Sequence, residues 1–226
     1  MLRDEGRAML RRCGELTERV RAAGSGRSGR LRVAYTRSAA DLGAQRMVRE
    51  FRRRWPDVEV ATSTGWTTRN VQMLAADETD VAFVRTPVAG DGLAVRHLAD
   101  EELAAVLPAA HPLARRRRVR PEWLRDEAVI LWPRAQGPGF HDRIVEQVWP
   151  SSRPNVVLEE PEAESILAAV ADGLGVAVLD HGRARKVRLP GVVVRRFTEP
   201  APTAGLGVAW RANDPSPTLA RLLASL

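Results

Sequence analysis

An α/β fold in two lobes, preceded by one helix, is what this sequence predicts. Three observations carry the prediction. Short apolar runs of strand character alternate with helical patterns from residue 31 onward, the signature of a parallel sheet with crossover helices. A second unit with the same grammar opens after His111-Pro112-Leu113, without any sequence repeat. In front of both stands a helical stretch with one narrow apolar stripe, followed by a Gly/Ser-rich segment.

The leading helix is predicted over residues 6–23. Met9, Cys13, Leu16 and Val20 fall four, three and four apart, which places them on one face. A helix this short is marginal alone and must bury its stripe against something. A partner copy is the expected cover; a frayed tail is the alternative. Ala23-Gly24-Ser25-Gly26-Arg27-Ser28-Gly29 then reads as a flexible joint.

Leu31-Arg32-Val33-Ala34-Tyr35 is the first strand, and residues 39–55 form a helix stopped by Pro56. Val58-Glu59-Val60-Ala61 is the second strand. A helix carrying Val71 and Leu74 leads to the third, Asp80-Val81-Ala82-Phe83-Val84, which ends at Arg85. Residues 103–107 make a fourth strand. In the second unit the strands are Val129-Ile130-Leu131-Trp132, Val156-Val157-Leu158 and residues 176–179. Gly137-Pro138-Gly139-Phe140 opens one helix, and residues 165–172 form another that breaks at Gly173-Leu174-Gly175. A late strand over 206–210 and a helix over 218–226 close the chain. The expected division is a linker helix and joint at 1–28, lobe I at 29–104 with 205–226, and lobe II at 105–204.

The chain has 226 residues, 44% hydrophobic and 28% charged, as expected of a soluble globular protein. Its net charge is +7, from 35 basic and 28 acidic residues, so contact with polyanions is allowed but not required. Lys186 is the single lysine, and the arginines are scattered. Cys13 is the single cysteine, which excludes an intramolecular disulfide and a cysteine metal cluster. The start has no apolar signal region and no run approaches membrane-spanning length, so a cytoplasmic protein without membrane contact is expected.

Ligands of open α/β sheets bind beyond the carboxyl ends of the strands. Arg85 stands at such an end, and its planar fork matches a carboxylate. A surface arginine capping a strand fits equally well. Ser38 follows the first strand and Thr67 the second, where helix N-termini favour anions; each serves equally as a plain helix cap. Thr36 lies beside Ser38. Phe140 opens a helix of the second lobe, after Gly139, whose missing side chain lets backbone approach a ligand; a packing role is its alternative. Trp66 beside Thr67 either stacks on a flat ligand or, as is more common, packs over a loop. The run Arg115-Arg116-Arg117-Arg118 lacks interleaved aromatics and reads as solvated surface.

Catalytic patterns are missing. There is no G-x-S-x-G elbow, H-E-x-x-H or P-loop. The four histidines are dispersed, and His141 and Asp142, being adjacent on a helix, are expected to point apart. Glu159, Glu160, Glu162 and Glu164 read as an acidic helix entry. No cofactor, metal or catalytic residue is expected.

Taken in order, several segments resemble the effector-binding domain of LysR-type transcriptional regulators. They are Phe51-Arg52-Arg53-Arg54-Trp55-Pro56-Asp57-Val58, the stretch 80–87, Glu102-Leu103 with Val106-Leu107-Pro108, His111-Pro112-Leu113-Ala114, Pro133-Arg134 with Gly137-Pro138-Gly139, and Val170-Ala171-Asp172-Gly173-Leu174-Gly175-Val176. The Phe83-Val84-Arg85-Thr86-Pro87 and Pro133-to-Gly139 segments are similar to the subgroup that senses metabolites of aromatic catabolism. The resemblance implies two Rossmann-like lobes of the type 2 periplasmic-binding-protein kind, joined by two crossover strands near 103–107 and 206–210. It places the subgroup's effector contacts on Ser38, Thr67, Arg85 and Phe140. Trp66, Asn70 and Asp180-His181 depart from the usual pattern. The family's N-terminal winged helix-turn-helix is not in this sequence, so DNA contact is expected only through such a head.

The expected function is a sensor that closes on a small organic acid, possessing a carboxylate and an aromatic body, and passes the closure to a dimer or tetramer. A solute-binding protein for transport and a small α/β enzyme acting on an anion are the alternatives. The sensor reading requires Arg85 to face the interlobe gap without a fixed internal acid against it.

Overall fold

A computed structural model describes residues 2–186 and 189–226. Helix α1 (Leu2–Gly24) leads into strand β1 (Gly29–Tyr35). The short α2 (Arg37–Ala39) runs through a π-type turn into α3 (Gln45–Arg54), with Gly43 at a φ of 109° where the axis kinks. Next come β2 (Val58–Thr64), α4 (Thr67–Ala75), β3 (Val81–Thr86) and the long β4 (Leu93–Pro108). The remainder is β5 (Ala128–Leu131), α5 (Pro138–Val148), β6 (Asn155–Glu159), α6 (Ala163–Ala171), β7 (Val176–Asp180), α7 (His181–Lys186), β8 (Val192–Arg196), β9 (Thr203–Arg211) and α8 (Pro217–Ala224).

The strands hydrogen-bond in the order β2-β1-β3-β9-β4-β7-β5-β6, with β8 on β4. Two parallel groups, β2-β1-β3 and β7-β5-β6, are joined through antiparallel β9 and β4. Each group has apolar residues on both faces, as helix-covered parallel strands require. Along β3, Val81 and Phe83 pack with Leu31, Val48, Phe51 and Leu222, while Ala82 and Val84 face Leu74 and Ala209. In the other half Leu103, Ala105 and Leu107 pack with Ile144, Trp149 and Phe197, and Val106 faces Ile130, Ile166 and Val170. Strands β4 and β9 cross between the two halves where the Leu103 N–H donates to the Pro202 carbonyl at 2.8 Å. This is the two-lobed α/β architecture that the alternating pattern predicts.

Three elements escape the sequence reading. Strand β4 begins ten residues before the apolar run, because its first part alternates polar and apolar residues against β9. Strand β8 and helix α7 lie in the arginine-rich stretch, where charge hides the pattern. The helix break at Gly173 is as expected: at φ 79° it ends α6, and the Leu174 N–H reaches back to the Ala169 carbonyl at 3.1 Å.

The expected flexible joint is instead a hydrogen-bonded turn. The Gly26 N–H donates to the Ala23 carbonyl and that of Arg27 to Ala22. Gly26 is buried at φ 68°, and a Cβ there would lie 2.5 Å from the Pro217 carbonyl group. Arg221 of α8 donates to the Ser25 carbonyl and stacks over Trp55, with its Cζ 4.1 Å from the ring centre. Glycine here serves close docking rather than freedom. The stripe on α1 stays uncovered: Met9, Leu16 and Val20 are each more than half exposed.

Asp80 fixes the start of β3 on β1. Its carboxylate accepts from the Arg32 N–H at 2.6 Å and from the Arg32 Nε at 3.1 Å. Burial works against its ionisation, but the Arg32 side-chain and backbone hydrogen bonds and the charges of Arg32 and Arg211 outweigh it and lower its pKa below 3.8.

Two predictions follow from these contacts. Asp80→Asn lowers stability to denaturant by about 1–3 kcal/mol at pH 7. A depressed carboxylate stabilises the fold above its unfolded pKa and loses that contribution as pH falls through the lower folded value, so the difference from wild type shrinks below about pH 3.8. Gly26→Ala destabilises by about 1–3 kcal/mol in the same assay, whereas Gly14→Ala, in the open middle of α1, is neutral or stabilising by up to about 1 kcal/mol.

Candidate functional site

One cavity is walled by the strand ends of both halves. Its accessible volume is small, about 90 Å³, within a wider mouth open to solvent. Thr36 and Ser38 follow β1, Trp66 and Thr67 follow β2, and Arg85 ends β3. From the other half come Trp132 after β5, Gly137 and Phe140 at the start of α5, Glu162 and Ala163 at the start of α6, and Leu179 and Asp180 at the end of β7. The three strands of each parallel group therefore point their carboxyl ends at the other group, and all six ends meet in one place.

The N-termini of α4, α5 and α6 reach this wall through Trp66, Gly137 and Glu162, and none has a side-chain cap. Their unpaired N–H groups and positive dipole ends suit ligand oxygens. Trp132 and Phe140 stack with centroids 5.3 Å apart and planes 18° from parallel, giving a flat apolar wall.

Arg85 is the most deeply set charge in the wall, 2% exposed. Its Nε donates to Ser38 Oγ at 3.0 Å, and its backbone N–H donates to Thr67 Oγ1 at 3.3 Å. Its Cζ lies 5.6 Å from the Phe140 ring centre. Nη2 donates to Glu101 Oε2 at 3.2 Å and lies 2.7 Å from Asp180 Oδ1, an ion contact not aligned as a hydrogen bond. Nη1 has no hydrogen-bond partner among the described residues. Glu101 also accepts the Gly182 N–H at 3.0 Å. Burial, then the charge of Asp180, pushes the Glu101 carboxyl above its ordinary value against the pull of Arg85.

Arg85 thus faces the gap as expected, but two internal acids hold it. The condition set on Arg85 therefore fails: a freestanding carboxylate anchor is not what the structure contains, and the arginine by itself no longer argues for a sensor. The reason is Asp180, which ends β7 as Arg85 ends β3 and meets it across the gap. Asp180 had shown in the sequence only as a departure from the family pattern; the strand-end rule applied to β7 would have found it.

The other expected residues divide. Thr36, Ser38, Trp66, Thr67 and Phe140 all line the cavity. Thr36 and Ser38 are also occupied locally: Thr36 Oγ1 accepts the Ala39 N–H at 3.1 Å and lies 3.3 Å from Ser38 Oγ. Gly139 is a correction. It lies outside the lining, and a Cβ on it would come 2.5 Å from the Pro87 carbonyl oxygen. Its missing side chain admits Pro87 of the opposite half, not a ligand. His141 and Asp142 also differ from expectation, with Nδ1 3.2 Å from Oδ1. The fork of Arg134 draws Asp142 around, at 2.7 and 2.6 Å, and lowers its pKa to about 2. Sequence reasoning missed Trp132, Glu101, Asp180 and Arg183. Glu162 and Glu164, read as an acidic helix entry, pair with Arg37 and Arg183 of the cavity wall.

Comparisons with known proteins agree with this geometry. Residues 24–226 match the LysR substrate binding domain. The HTH-type transcriptional regulator IlvR of Caulobacter vibrioides is 28% identical over 212 residues, covering 92% of this chain and 70% of that protein. The HTH-type transcriptional regulator XapR of Escherichia coli is 26% identical, covering 100% of this chain and 76% of that protein. Among solved structures, CbnR, a LysR family transcriptional regulator, superposes with a TM-score of 0.79 at 22% identity, covering 98% of this chain and 77% of that one. The BenM effector binding domain with its effector benzoate superposes at 0.75 and 20% identity, covering 87% and 89%. Fold, strand-end cavity and sequence match converge: the chain belongs to the LysR substrate-binding-domain family and is the ligand-sensing domain of a LysR-type transcriptional regulator.

Proposed function

We propose that the cavity between the two halves is the effector site and that it takes a small planar molecule bearing oxygen acceptors. One observation carries this: six strand ends converge on an aromatic-walled cavity that three uncapped helix N-termini also reach. The flat body lies along Trp132 and Phe140, with Trp66 opposite, and its oxygens meet the helix N-termini, Ser38 and Thr67. A carboxylate effector finds the same N–H groups but an Arg85 already paired.

The lobes of this reading are 29–104 with 205–226, and 105–204. An effector that prefers their closed arrangement shifts the population toward it. That shift reaches DNA through the spacing of DNA-binding heads in a full-length oligomer. The exposed stripe of α1 supports self-association, by burial against a second copy. No helix among the described residues is long and apolar enough to cross a membrane, and we place the regulator in the cytoplasm with its DNA. The matching relatives are named as transcriptional regulators, which supports sensing without turnover.

Titration with planar aromatic acids, amides and ketones, followed by thermal denaturation, tests the site. A binder at a hundred times its Kd stabilises the fold by about 2.7 kcal/mol. Phe140→Ala weakens such a binder about tenfold, while Arg117→Ala, on the exposed basic run, leaves it unchanged. Equal responses in wild type and Phe140→Ala to every binder would place the site elsewhere.

A further inference from the structure

Resting on the cleft as effector site, we infer that it selects an uncharged effector with hydrogen-bond acceptors, such as an amide, ester or ketone of a planar ring, over the corresponding carboxylate. The three arginines of the cavity wall each face an acid: Arg85 meets Asp180 and Glu101, Arg37 meets Glu162, and Arg183 meets Glu164. The cavity is therefore lined by cations whose charge is already balanced. At Arg85 the balance lies on the acidic side, since one guanidinium serves two carboxyl groups. Placing a carboxylate there adds like charge within a largely apolar wall, and a buried charge without its own counter-ion is strongly disfavoured.

The same wall has donors to spare. Arg85 Nη1 and Trp132 Nε1 are buried without an acceptor among the described residues, and both residues line the cavity. A carbonyl oxygen satisfies such donors without bringing a charge. The uncapped helix ends act in the same sense, offering partial rather than full positive charge. Donor supply and charge balance thus point to one ligand class. Asp180 sets the selection, because it is the acid in closest contact with Arg85, at 2.7 Å.

Matched pairs test this on the full chain by calorimetry: benzoate with benzamide, salicylate with salicylamide, and nicotinate with nicotinamide. In wild type the tighter-binding amides exceed their acids at least tenfold in affinity. Asp180→Asn leaves Arg85 with one acid in place of two, keeps the side-chain volume and shifts the acid-to-amide ratio at least tenfold toward the acid. Glu101→Gln shifts it in the same direction and carries the test if Asp180→Asn does not fold. An acid that binds wild type as well as its amide overturns the selection and leaves the cleft reading standing. So does an unchanged ratio in the folded variants. Binding of any pair that Phe140→Ala does not weaken, or no binding by any pair to wild type or variants, overturns the cleft reading and the selection with it.

Discussion

The buried contact of Arg85 with Asp180 and Glu101 organises this molecule. Arg85 ends a strand of one half, Asp180 ends a strand of the other, and Glu101 lies on the strand that crosses between them. Burying a guanidinium to 2% exposure is costly unless acids stand against it. The partners, in turn, stand where the two halves meet. The same contact therefore neutralises a buried charge, ties the halves together and forms the floor of the cavity. Buried ion clusters of this kind contribute little net stability against an apolar substitute, but removing one member is costly. Its role is better understood as fixing geometry: the arrangement of the halves seen here is the one that brings Arg85, Asp180 and Glu101 together.

Other bridges across the gap reinforce that arrangement. Arg37 meets Glu162, Thr68 Oγ1 donates to the Ala135 carbonyl at 2.7 Å, and Gly139 admits Pro87. All lie beside the cavity. Four of the residues that join the halves, Arg37, Glu162, Arg85 and Asp180, also line the cavity. A ligand that alters their contacts alters how the halves meet, which is the physical requirement for a sensor.

Much of this was legible in the sequence, and the limits have identifiable causes. Strand–helix alternation gave two α/β units because both faces of the central parallel strands are buried, which leaves continuous apolar runs such as Val81 to Val84 and Val176 to Leu179. Half-exposed antiparallel segments left weaker patterns, so the first part of β4 and all of β8 went unseen. At the site, the rule that strand ends bind ligands found Thr36, Ser38, Thr67 and Arg85. It did not reveal what Arg85 was paired with, because Asp180 lies 95 positions further along the chain. Composition misread the Gly24-to-Gly29 joint for a related reason: glycine signals permissive backbone, and only the fold tells whether that permission is spent on motion or on the contact with Pro217.

That distinction between residue type and residue partner governs the functional reading. An arginine at a strand end looks like an anion receptor when judged by itself. Paired twice, it offers one unused N–H edge and little net charge. A carboxylate on that edge would compete with Asp180 for the guanidinium, and success would loosen the contact that joins the halves. A neutral acceptor would take the unused edge and leave the contact intact. On the selection inferred above, an anion competes for the contact that joins the halves, and an uncharged acceptor leaves that contact in place.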